Sequence, residues 1–280
     1  MKLCLNIGYS GPKMVVPMER ILRAEALGFD TVWTSEAYGS DAITPLAYIG
    51  ALTKRIRVGT NIAQLAARTP ANLAMSAQTI DAMIGRGRMI LGIGVSGPQI
   101  VEGWYGQPWG KPADRLRDYV AIVKKVLRRE EPLTHAGRAI SLPYAGPGAT
   151  GLGKPLKSIL HGNPDIPVML GTATPGNIRL TGEIADGWLS MHLVPSTMRQ
   201  YTQWLQEGLA RRSDGKTLKD FDIHGWLSVV ITSDVKAALA AGKPRVALYV
   251  GGMGAKDKNY HKDSMVRRGF PEAVERIQEL

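Results

Sequence analysis

Seven times along its 280 residues the chain passes from a short apolar run, through a loop, into a longer stretch with helical spacing. The runs are LCLNIG (3–8), DTVWTSE (30–36), IRVGTNIAQ (56–64), MILGIGV (89–95), IPVMLG (166–171), GWLSMHL (187–193) and GWLSVVITSD (225–234). Between the fourth and fifth, Leu116, Tyr119, Val120, Val123, Val126 and Leu127 fall on one helical stripe. Near-continuous apolar strands are what a parallel sheet covered on both faces requires, and parallel neighbours need long crossovers, usually helices. The pattern predicts one α/β domain over residues 1–280, folded as a (β/α)₈ barrel. A doubly wound open sheet fits the same periodicity, because spacing does not show closure. A complete barrel also needs an eighth strand. The chain instead ends on the helical stretch FPEAVERIQEL (270–280), so the reading expects a barrel lacking that strand, with a truncated C-terminus as one explanation.

Charge narrows the partners. Lys and Arg number 35 against 24 Asp and Glu, a net +11, which favours anionic ligands through long-range attraction. No basic stripe is interleaved with aromatic residues, so nucleic acid is not expected, and no apolar run is long enough to span a membrane. A small polyanionic ligand fits the charge. The single cysteine, Cys4, excludes an internal disulfide and a cysteine-rich zinc site, and no metal site is expected from the histidine spacing. With no secretion signal at the N-terminus, a cytoplasmic location is expected.

Residues 148–154 match G-x-x-x-x-G-K, the start of a nucleotide-binding loop. That loop needs a strand before it, a helix after it, and Ser or Thr following the Lys. Here SLPYAGP precedes, and Pro155 follows Lys154, so nucleotide hydrolysis is excluded. The glycine- and proline-rich excursion 143–165 is expected to be a long loop at the barrel mouth.

In parallel barrels the chemistry collects where strands end. GTATPGN (171–177) pairs small residues with Pro175 at a helix start, which leaves backbone amides free to cradle an anion. An ordinary tight turn reads the same way. GVSGP (94–98) is a second glycine-rich turn. Glu36 closes the second strand, where it serves either as an acid or base or as a salt-bridged structural carboxylate. His192 is placed at the end of the sixth strand, and Tyr9 and Tyr38 follow the first and second.

The order GFDTVWTSEAYGSD, IRVGTNIAQLAARTP, GRMILGIGVSGPQIVEGW, PYAGPGATGLGKPLKSILH and IPVMLG, with EIADGW behind it, resembles the bacterial luciferase-like family. It is most similar to the branch of oxidoreductases that use the deazaflavin coenzyme F420. The resemblance implies a TIM barrel with the deazaflavin ring at the strand ends. It implies a cis peptide at Asn61–Ile62 that presses on the back of the ring, and a phosphate cradle over Gly171, Thr172, Ala173, Thr174, Gly176 and Asn177. Ser96 and Gly97 would lie beside the ring, and a second copy of the chain is the implied partner. Deazaflavin carries carbon in place of flavin's central nitrogen, so the implied reaction is hydride transfer to or from a small organic substrate. Alternatives are an oxygenase using flavin mononucleotide (FMN) and a barrel that binds either cofactor without turnover. Relatives acting on sugar phosphates carry an Asp-His pair after the second strand. Glu36 and Ala37 stand there in this chain, which leaves Glu36 as the catalytic candidate.

Overall fold

In the computed structural model, residues 1–191, 193–252 and 259–279 are described. The first half contains β1 (Cys4–Gly8), α1 (Met18–Ala26), β2 (Thr31–Thr34), α2 (Thr44–Leu52), β3 (Arg57–Thr60), β4 (Ala63–Gln64), α3 (Pro70–Ile84), β5 (Met89–Gly94), α4 (Pro98–Gly103) and α5 (Pro112–Arg128). The second half contains β6 (His135–Ala136), β7 (Ser141–Leu142), β8 (Val168–Gly171), α6 (Pro175–Ile184), β9 (Gly187–Ser190), α7 (Pro195–Leu209), β10 (Asp222–Gly225), α8 (Val235–Ala247), α9 (Tyr260–Arg267) and α10 (Pro271–Gln278).

The principal strands pair in the order β1-β2-β3-β5-β8-β9-β10, and every pairing is parallel. One contact shows that this sheet is curled. The ring of Trp33 on β2 lies 5.2 Å from that of His224 on β10, five strand steps away. In a flat sheet five steps of about 4.8 Å would separate them by roughly 24 Å. The sheet therefore bends into most of a barrel with β1 and β10 as its edges. No eighth principal strand joins them among the described residues, and a Lys2–Asp222 ion pair of 3.6 Å spans the seam.

Alternation along the strands fills two cores. On β5, Met89, Leu91 and Ile93 point outward and are fully buried against the helices, in a large cluster with Leu73, Leu116 and Val123. Ile90 points inward and meets Trp33, Met169 and Leu189, with Cys4 and Ile62 packed alongside. Helix α5 follows the predicted stripe closely, with Leu116, Tyr119, Val120, Val123, Val126 and Leu127 all buried.

Three expectations change in detail. The third strand, read as 56–64, is broken into β3 and β4 at Asn61–Ile62, whose peptide bond is cis. The seventh, read as 225–234, is β10 and ends at Gly225. Beyond it 226–234 forms neither strand nor helix, because β10 finds a neighbour only in β9 among the described residues. The short helix α4 and the β6–β7 hairpin carry no strong periodic signal and were not expected. Between Leu142 and Val168 there is no strand or helix, so the glycine-lysine match at 148–154 has neither flank that a nucleotide loop needs. Among the described residues, no helix is long and apolar enough to cross a membrane.

Candidate active site

β3, β5 and β8 are neighbours in the sheet, and the stretches after their C-termini form three walls of one rim. The floor comes first. Gly94 and Gly171 stand opposite each other in the β5–β8 register, and both would point a side chain inward. A Cβ added at Gly94 would come 2.7 Å from Ile62 Cγ1, and one at Gly171 would come 2.6 Å from Ile62 Cγ2. Two bare backbones thus give Ile62 its seat, half-buried at the barrel mouth with Asn61 beside it.

The second wall is the turn after β5. Ser96 takes a left-handed φ of 62°, which costs a non-glycine residue on the order of 1–3 kcal/mol and is kept where surrounding structure enforces it. Gly97 then caps α4, its carbonyl accepting from Ile100 and Val101 at 3.1 and 3.0 Å.

The third wall is the start of α6. Thr174 is the N-cap and accepts from the Asn177 amide at 3.4 Å, with Pro175 at the first helical position. Thr172 is held below by the Thr181 hydroxyl at 2.8 Å, and its carbonyl accepts from the Trp188 indole at 2.9 Å. First-turn amides have no partner within their own helix, and a Cβ built on Gly176 meets nothing within 4 Å. Pro175 has no amide hydrogen, and the Asn177 and Ile178 amides donate to the Thr174 hydroxyl and carbonyl, so among the described residues the Gly176 amide is the first-turn donor left facing open space. Arg267 on α9 donates to the Ala173 carbonyl at 3.3 Å, which places a guanidinium at this helix start. Arg267 lies in the basic stretch KDKNYHKDSMVRRG (256–269), whose sequence alone does not show that Arg267 reaches this helix start.

Glu36 follows β2 and packs against β4 and Arg68 just before α3, with only 7% of its surface exposed. One carboxylate oxygen accepts from the Gln64 amide (2.7 Å) and Arg68 Nη1 (2.8 Å). The other accepts from the Ala42 amide (3.0 Å) and the same guanidinium nitrogen (2.9 Å). Burial works against the Arg68 charge, but the hydrogen bonds and charge of Glu36, then of Asp41, raise its pKa overall. Tyr105 Oη donates to Ala37 O at 3.4 Å; burial first, and then the Glu36 charge, push its pKa up. Gln64 Nε2 donates to Glu36 O at 3.0 Å, while Gln64 Oε1 is buried with no partner among the described residues. Leaving such an acceptor unpaired costs roughly 1–3 kcal/mol.

On the β1–β10 side, Arg245 lies 3.8 Å above the Trp226 ring and 5.7 Å from that of Tyr249. Burial, then Tyr249, raises the pKa of nearby Tyr9. Tyr38 is exposed, and His192 lies outside the described residues. Arg68, Asp41 and Arg267 were missed by sequence reasoning. Arg68 lies within QLAARTP, four positions beyond Gln64, but a salt bridge across strands leaves no periodic signature.

A model of luciferase-like monooxygenases matches residues 17–280. A Mycobacterium tuberculosis protein, provisionally named a coenzyme F420-dependent oxidoreductase, is 50% identical over 282 residues, covering all of this chain and 81% of that protein. Among solved structures, an F420-dependent secondary alcohol dehydrogenase in complex with an F420–acetone adduct has a TM-score of 0.75 at 18% identity, covering 98% of this chain and 83% of that one. The coenzyme F420-dependent tetrahydromethanopterin reductase of Methanopyrus kandleri has a TM-score of 0.71 at 21% identity, covering 98% and 82%.

Proposed function

The chain belongs to the luciferase-like monooxygenase family, and from that premise we propose that it is an oxidoreductase passing hydride between coenzyme F420 and a small organic substrate. The observation that carries this reading is the convergence of three features on neighbouring strand ends. They are the Ile62 floor, the Ser96–Gly97 turn, and the α6 start behind Gly171, where the Gly176 amide is open. The relative with 50% identity along the whole chain supports the choice of cofactor.

The residues present fit such a group. Ile62, seated on two glycines, offers an apolar floor for one face of a planar ring. The Thr172–Asn177 stretch offers the Gly176 N–H and a positive helix end for a phosphate, and Arg267 adds a cation there. When bound, deazaflavin supplies a carbon centre that gives or takes hydride and reacts poorly with oxygen. The chain's own residues would support one ring face, hold the phosphate and leave the opposite ring face to a substrate.

Titration of the purified chain with F420 and with FMN, side by side, tests the reading by cofactor absorbance and fluorescence. Saturable binding of F420 that tightens as salt is lowered supports it, because the phosphate contact is electrostatic. Gly176→Glu places a carboxylate in the open space before the helix start and is expected to weaken F420 binding at least tenfold. Tighter binding of FMN, or an affinity indifferent to Gly176→Glu, would sink the assignment.

A further inference from the structure

We propose that Glu36 is a positioning residue, a clamp that sets the Asn61–Gln64 shelf against the rim, and not the proton carrier its place after the second strand suggested. The inference rests on the reading above for the ligand that the shelf supports. A carboxylate offers about four lone-pair sites, and three donor nitrogens engage those of Glu36: the Ala42 amide, the Gln64 amide and Arg68 Nη1, which bridges both oxygens of a side chain only 2% exposed. None is left for a substrate proton.

The donors come from three separate stretches of chain: Ala42 in the loop before α2, Gln64 on β4, and Arg68 just before α3. Arg68 is tied in turn to α5, where the buried Tyr119 hydroxyl donates to its carbonyl at 2.9 Å. Thr34 fixes the same loop from below by donating to Ala42 O at 2.6 Å. One side chain therefore joins the β2 loop, the β4 shelf and the outer helical layer.

Gln64 is the point through which the clamp acts. Glu36 holds its backbone amide and its side-chain nitrogen at once, which fixes the aim of the remaining Oε1. That oxygen is the unpartnered acceptor, two residues from Ile62 and in register with Gly94. A shift of Glu36 would therefore move this buried oxygen and the neighbouring Ile62 floor together.

Glu36→Gln breaks the clamp with little change in size. The amide nitrogen it introduces must face a backbone N–H or the Arg68 guanidinium, and either meeting sets donor against donor. In the ligand-free chain, amide hydrogen exchange across 61–65 should quicken at least tenfold, while exchange in β5 stays slow. With F420 added, affinity should fall on the order of tenfold and the bound absorption band should move. The pH limbs of kcat should stay where they are. Glu36→Gln with Arg68→Gln, which removes both buried charges, repeats the measurements if the single variant does not fold.

A pH limb that disappears in Glu36→Gln while exchange across 61–65 is unchanged overturns the proposal and restores an acid-base role. Unchanged exchange and affinity overturn it as well. If the wild-type chain binds neither F420 nor FMN, the functional reading fails by itself, and the exchange arm still decides what Glu36 does.

Discussion

MILGIG at 89–94 and LSVVI at 227–231 are both short apolar runs, yet their fates are opposite. Every residue of the first is buried, and every residue of the second is exposed, with Leu227 at 80% and Ile231 at 98%. Burying the four apolar side chains of the second run would be worth roughly 6–12 kcal/mol, at about 1.5–3 kcal/mol each. What separates the runs is neighbours. β5 is paired with β3 and β4 on one side and β8 on the other, whereas 227–231 continues from β10, whose only partner among the described residues is β9. Helix α8 follows with no buried residue at all. An apolar run states what a segment could bury; pairing on both sides decides whether it does.

The sharpest contrast lies in two substitutions. Arg68→Ala leaves the Glu36 carboxylate, with 2% of its side chain exposed, buried without its cation. Breaking a buried pair from one side costs about 3–5 kcal/mol. Ile231→Ser removes more apolar surface but from a side chain already in water, so a change within about 0.5 kcal/mol is expected. Urea unfolding midpoints at unchanged slope measure both. A loss above about 2 kcal/mol at Ile231 would mean that its run is covered in solution, and the contrast would fall.

The same contrast explains what could be read in advance. Strands β2, β3, β5, β8 and β9 were legible because central parallel strands bury both faces and so appear as unbroken apolar runs. The seventh run carried the same signal at an edge, and its extent was overestimated there. At the site, Gly171 to Asn177 stood out because a proline-opened helix after small residues has a local signature. The role of Gly94 became legible only with Ile62 above it. The Glu36–Arg68 clamp was half visible: the carboxylate marks a strand end, but its cation lies 32 residues on and meets it only through the fold.

Glycines sharpen the comparison at a smaller scale. Gly171→Ala forces its Cβ to 2.6 Å from Ile62, so the floor must shift. Overpacking of this kind costs typically about 1–3 kcal/mol, and F420 affinity should fall with it. Gly242→Ala on α8 meets nothing within 4 Å, and alanine there should stabilise the helix by about 0.5–1 kcal/mol. Opposite signs in thermal unfolding are therefore expected from one chemical change. Equal signs would show that open space around α8 does not exist in solution.

The smallest effect tests where the well-packed part of the molecule ends. His224 is on the edge strand β10, one residue before it stops, with its ring against Trp33 on the far side of the curl. Burial lowers its pKa, so the folded state holds it neutral over a range in which the unfolded chain already takes up a proton. The unfolded state then binds more protons, and stability rises with pH. Its contribution should be intact above about pH 6.5 and decline as pH falls below that value, toward the lowered folded pKa. The carboxylates of Asp30, Asp41 and Asp186 have pKa values held below the ordinary range, despite burial, by hydrogen bonds and cationic partners, so their losses belong to a more acidic window. Unfolding free energy measured from pH 7.5 to 5 in the wild type and in His224→Gln should therefore diverge first near pH 6. Parallel curves would place His224 in water, and the boundary between the two regions would move inward from β10 to β9.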